Sequence, residues 1–144
     1  MPSTRITDCV TLLAAAWFDL ADEFEGKHEG RRLIVTCTLR SPEEQFRLYQ
    51  QGRVEGPKGT WTPDTDPKTT IVTQLDGYDK VSKHNCNPSK ALDLCVVVGG
   101  KPSWRIADYL EVGRMAQERG LIWGGTWGEP VDTVWDRIKA GKFV

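Results

Sequence analysis

Ser82-Lys83-His84-Asn85-Cys86-Asn87-Pro88-Ser89-Lys90-Ala91-Leu92-Asp93-Leu94-Cys95-Val96-Val97-Val98 is the stretch on which the fold of this chain turns. Its first half is polar, is broken by Pro88, and reads as a loop. From Ala91 to Val98 it is apolar and β-branched, and reads as a central strand. One charge, Asp93, stands in that run, where an uncompensated carboxylate is costly. His84 lies nine positions earlier. Histidine nitrogen and aspartate oxygen both suit Zn²⁺, and a catalytic zinc takes three protein ligands with one position open. A metal ion would compensate Asp93 directly. Spacing alone leaves two other readings open, a hydrogen-bonded His–Asp pair and two unrelated structural residues.

Working outward, the neighbouring segments alternate between helical and strand patterns. Val10, Leu13, Trp17, Leu20 and Phe24 recur at three- and four-residue spacing, predicting a helix over about 7–24 stopped by Gly26. Leu33 to Thr38 is a short β-branched strand. Ser41-Pro42-Glu43-Glu44 then carries a cap, a first-turn proline and the glutamate of a capping box, so a helix starts there and ends near Gly52. Residues 53–68 are rich in Gly, Pro, Thr and Asp and read as a surface loop; Thr69 to Thr73 reads as a short strand. Ser103 is expected to cap a helix through about Arg119, with Ile106, Leu110 and Ala116 inward and Gly120 as its stop. Leu121 to Trp123 reads as a strand, and Val131, Val134, Trp135 and Ile138 predict a last helix ended by Gly141. The expected class is α+β, with helices packed on a small mixed or antiparallel sheet.

The chain has 144 residues, one domain's worth, and can bury a core without cross-links. Nineteen basic against twenty acidic residues give a net charge of −1, and no electrostatic case for nucleic acid or an anionic membrane. The four cysteines, Cys9, Cys37, Cys86 and Cys95, form no C-x-x-C pair, which excludes a zinc ribbon or a thioredoxin motif. They read as small buried thiols, with a Cys37–Cys95 pairing left open. No signal peptide and no transmembrane run is seen. The protein is expected to be made in the cytoplasm, so any action outside needs export or release by something else.

The loop and strand of the opening stretch resemble the "S-x-H…(P-S)-x-A-x-D" signature of the zinc D-alanyl-D-alanine carboxypeptidases and L-alanyl-D-glutamate peptidases, which include VanY-like enzymes and many phage endolysins. The Asn-Pro-Ser-Lys form looks like the phage branch. Thr38-Leu39-Arg40-Ser41-Pro42-Glu43-Glu44-Gln45 with Leu48-Tyr49-Gln50-Gln51-Gly52-Arg53 resembles that family's "R-S-x-x-E-Q…L-Y-x-x-G-R" block. Thr70-Ile71-Val72-Thr73 resembles its "x-x-V-T" strand, and Gly120-Leu121-Ile122-Trp123-Gly124-Gly125-Thr126-Trp127 its "G-(L/I)-x-W-G-G-D-W". The matches run from about residue 33 to 127.

The resemblance implies a hedgehog/D,D-peptidase-like fold in one domain over 1–144, and a metallopeptidase that hydrolyses a peptide bond of the peptidoglycan stem peptide. It implies His84 and Asp93 as two zinc ligands, and Arg40 as the group that steadies the substrate carbonyl as it gains negative charge. Gln45 and Ser82 match polar positions lining the site, and Trp123 a tryptophan beside the metal. Each has a plainer reading: a surface arginine beside a helix cap, local hydrogen bonds, a core tryptophan.

The family closes its site with "D-x-x-H", which supplies the general base and the third ligand. Asp132-Thr133-Val134-Trp135 has the spacing, with Trp135 at the histidine's place on an apolar helix face. Lys142-Phe143-Val144 aligns better as the motif's lead-in, so the chain is expected to be cut just before its last strand. Cys86 and His28 are the stand-ins weighed for the third ligand, a turn cysteine and a solvated turn residue being their plainer roles. If the motif is truly missing, the alternative is an inactive wall-binding or structural module of the same fold.

Overall fold

The computed structural model describes residues 1–66 and 70–124. Its main elements are helix α1 (Thr11–Lys27), strand β1 (Arg31–Cys37), helix α2 (Pro42–Gln50), β2 (Arg53–Glu55), β3 (Trp61–Pro63), β4 (Asp93–Val98), β5 (Lys101–Ser103) and helix α3 (Ile106–Glu118). One sheet has the order β1–β4–β5, so the apolar run at 93–98 is central as its composition predicts; the other pairs β2 with β3. The class is α+β, as expected. The chain divides into two compact units: Met1–Ala15 with Ile34–Cys95, and Ala16–Leu33 with the described residues from Val96 onward.

In the first unit the sharpest local signal is the start of α2. Ser41 Oγ accepts the Glu44 N–H at 3.1 Å and the Glu44 carboxylate accepts the Ser41 N–H at 3.0 Å, with Pro42 in the first turn. Such a cap contributes about 1 kcal/mol. Beyond α2 the chain turns at Gly52, whose φ is +81° and where a Cβ would stand 2.6 Å from the Ile71 nitrogen. Only glycine fits that approach.

Residues 53–63, expected to be loop, form a hairpin instead, with Val54 opposite Thr62 and Glu55 opposite Trp61. Strands of three residues carry too little alternation to outweigh the turn residues between them. Thr70–Thr73, expected as a strand, joins no ladder. Its polar groups are taken by side chains: the Thr73 carbonyl accepts from Arg53 at 2.9 Å and its hydroxyl lies 3.4 Å from the Gln45 amide nitrogen.

In the second unit Trp17, Leu20, Phe24, Leu33, Val96, Val97, Val112 and Met115 are buried. Helix α1 begins at Thr11, after a 3-10 turn at Ile6–Asp8, and runs through Gly26 rather than stopping there. The left-handed glycine that ends this region is Gly30.

Helix α3 departs more from its pattern. Ile106 is exposed, and the buried stripe is Asp108, Val112 and Met115. Asp108 can sit inward because Arg31 donates to it at 2.8 Å and the Ser103 hydroxyl at 2.5 Å. A satisfied carboxylate thus occupies what an apolar count assigns to a hydrophobe. Ser103 ends β5 and makes that bond instead of capping α3, whose N-cap is Arg105. Residues 121–123 form no strand. The helix expected over 131–141, with Asp132 and Trp135, and the segment 142–144 lie outside the described residues. No helix among the described residues is long and apolar enough to cross a membrane.

Candidate metal centre

His84 sits in a 3-10 turn, Lys83–Asn85, fixed at both ends. Ser82 Oγ accepts the His84 N–H at 3.2 Å, and the Asn85 side chain accepts the Ser82 N–H at 2.9 Å. Asn85 also donates to the Arg40 carbonyl at 2.9 Å, while the Arg40 N–H donates to the His84 carbonyl at 2.8 Å. The histidine turn and the segment entering α2 are therefore stapled to each other by one backbone bond and one bond from the Asn85 side chain.

The imidazole is buried. Its Nδ1 lies 2.7 Å from the Thr38 carbonyl, an acceptor only, so Nδ1 carries the proton and donates. That bond sets the tautomer and turns the Nε2 lone pair toward Asp93, whose Oδ1 is 3.4 Å away. Ser89, fully buried, places its hydroxyl 2.9 Å from the same Thr38 carbonyl.

Asp93 is the first residue of β4, not its middle, and its side chain is 54% exposed. The carboxylate opens to solvent, so the cost assigned to it in the middle of a strand is smaller than the sequence suggests. Partial burial pushes its pKa up, but the contact with His84 and the charge of the Arg40 guanidinium outweigh this and leave it below the usual carboxylate range. Folding thus favours the ionised form. Its contribution is present above the ordinary carboxylate pKa and fades as the pH falls through the lowered one. In chelator-treated protein, the stability gap between the parent and Asp93→Asn is expected to shrink on acidification into that range; thermal unfolding that shows a constant or widening gap contradicts this.

Arg40 is mostly buried, with 13% of its side chain exposed, and is not a surface arginine. Nη1 donates to Gln45 Oε1 at 2.7 Å; Nη2 lies 3.4 Å from Cys37 Sγ and 3.6 Å from Asp93 Oδ2. Its buried Nε has no partner among the described residues. Gln45 is 1% exposed and its amide is fully used, donating to the Leu75 carbonyl at 2.9 Å as well as accepting from Arg40. Gly77 seals it in: a Cβ there would meet Gln45 Cβ at 2.9 Å. Gln45 holds the Arg40 guanidinium and Ser82 holds the backbone of His84, so both position residues of the cluster. Trp123 packs over Gly113 of α3, in the second unit.

Sequence reasoning missed Cys37. It ends β1, next to β4 in the sheet, and is buried. One donor atom each from Cys37, His84 and Asp93 lies within 4.8 Å of the other two, and these three residues could hold a metal ion. Ligands bonded to a tetrahedral zinc at 2.0–2.3 Å stand about 3.3–3.7 Å apart. The 3.4 Å between Nε2 and Oδ1 falls in that range and is long for a hydrogen bond. The signal that could have found Cys37 was positional: it stands three residues before Arg40, at the end of a strand leading into the same motif. The stand-ins weighed from sequence go elsewhere. Cys86 closes the histidine turn, and His28 contacts Glu111 at 2.6 Å in the second unit. None of the four cysteines is in a disulfide, so Cys37 and Cys95 are not paired. Set beside known proteins, the chain matches no family model and no curated protein.

Proposed function

We propose that this chain is a zinc-dependent peptidase acting on the peptidoglycan stem peptide, of the carboxypeptidase or endolysin type. The observation that carries the reading is the 3.4 Å approach of His84 Nε2 to Asp93 Oδ1, with the Arg40 guanidinium 3.6 Å from the same carboxylate. Zinc held there would acidify a water and polarise the scissile carbonyl. The protein's own part is positional. Thr38 fixes the imidazole, Gln45 fixes the guanidinium, and the half-exposed Asp93 marks the side from which a peptide would approach. Arg40, mostly buried, would set a positive charge where the substrate carbonyl oxygen gains negative charge.

The test is hydrolysis of purified peptidoglycan and of two synthetic stem peptides, one ending in D-Ala-D-Ala and one containing L-Ala-D-Glu. Zinc-dependent release from one of them is expected, falling about 100-fold in kcat for Arg40→Lys. Stoichiometric zinc without cleavage of any substrate would replace this reading with a wall-binding module.

A further inference from the structure

We propose that Cys37 is the third protein ligand of this centre, bound as a thiolate, which makes the ligand set one sulfur, one nitrogen and one oxygen. The proposal rests on the zinc reading above and deepens it by naming the ligands.

Three observations converge on the sulfur. The first is its place: a donor atom of Cys37 falls within 4.8 Å of those of His84 and Asp93, and Sγ is 3.7 Å from Nδ1, the ring nitrogen held by Thr38. Closing onto one ion needs shifts of about 1 Å or less, given the 3.3–3.7 Å spacing of tetrahedral ligands.

The second is the division of labour at the end of β1. Cys37 offers the sulfur, and the next residue, Thr38, offers the carbonyl that orients the ring. The same geometry excludes a cysteine nucleophile with His84 as its base. The nitrogen 3.7 Å from the sulfur is the one that donates its proton to Thr38, and Cys37 is only 6% exposed.

The third is Arg40. One Nη2 faces both Cys37 Sγ at 3.4 Å and Asp93 Oδ2 at 3.6 Å. A guanidinium beside a neutral thiol gains little, whereas beside a thiolate and a carboxylate it makes charge-assisted contacts to both anionic ligands.

On binding, the Cys37 S–H proton leaves to solvent and the freed lone pair forms the sulfur–metal bond, with no change of oxidation state. Two anionic ligands then balance a dication. The donor set suits a borderline-soft ion such as Zn²⁺ or Co²⁺ and disfavours Mg²⁺ and Ca²⁺, which require oxygen.

The test uses the full chain loaded with Co²⁺ or Zn²⁺. With cobalt, a thiolate-to-metal charge-transfer band is expected in the parent and in Cys86→Ser, and is expected to vanish in Cys37→Ser. Zinc affinity, by chelator competition, should fall in Cys37→Ser by more than the roughly 100-fold that changes outside the ligand shell cost. Because that variant can fail to fold, X-ray absorption on the parent gives an independent readout: one sulfur at about 2.3 Å from zinc. Metal uptake with a purely nitrogen and oxygen shell and no charge-transfer band overturns the Cys37 assignment and leaves the zinc peptidase standing. No uptake of either metal overturns both.

Discussion

Replacing His84 with alanine is expected to abolish metal binding and to destabilise the apoprotein by about 2–3 kcal/mol. The stability loss has two sources. The Nδ1–H bond to the Thr38 carbonyl is buried, and its loss costs about 1–2 kcal/mol; the cavity left by the ring adds to this. The metal loss follows from removing the one nitrogen donor in the cluster. His28→Ala is the control. It removes the other histidine, which is bound to Glu111 in the second unit, and should leave zinc affinity unchanged. Urea unfolding in chelator followed by zinc competition separates the two effects, and a His84→Ala protein that keeps parental zinc affinity contradicts the assignment.

Gln45→Leu is expected to destabilise the protein by about 2–4 kcal/mol, although leucine is of similar size and less polar. The position is 1% exposed, so nothing replaces what the amide supplies. Arg40 Nη1 loses its 2.7 Å acceptor and the Leu75 carbonyl its 2.9 Å donor, and each buried group left unsatisfied costs about 1–3 kcal/mol. The guanidinium is also freed to swing from Cys37 and Asp93, so zinc affinity should fall by about 10-fold in parallel. Gln45→Glu keeps an acceptor for Arg40 but sets a carboxylate against the Leu75 carbonyl, and should fall between the two. Chemical denaturation decides the matter; a loss below about 1 kcal/mol for Gln45→Leu would mean Arg40 finds another anchor.

Features set by neighbours in the chain were legible in the sequence. The capping box at Ser41 and Glu44 needs only four consecutive residues, and β1 and β4 announce themselves as β-branched runs. The His84–Asp93 approach was one of the readings their spacing left open, and Asp93, at the half-exposed start of β4, is less anomalous than a charge inside an apolar run. Features that depend on distant partners were not legible. Asp108 looks like a solvated helix residue until Arg31, 77 positions away, is brought against it. Gln45 looks like an exposed helix amide until Gly77 closes over it. Cys37 looks like one more core thiol, because only the pairing order β1–β4 brings its strand end beside that of Asp93. The hairpin at 53–63 failed for another reason, since its turn residues outweigh its short strands.

Zinc titration of the metal-free protein by calorimetry reads out whether His84 and Asp93 belong to a metal centre. One zinc per chain is predicted, with proton release that varies the observed heat between buffers as the Cys37 thiol gives up its proton, and with binding lost in His84→Ala. A parent protein that takes up no zinc, or a His84→Ala protein that binds it as tightly, would contradict the account.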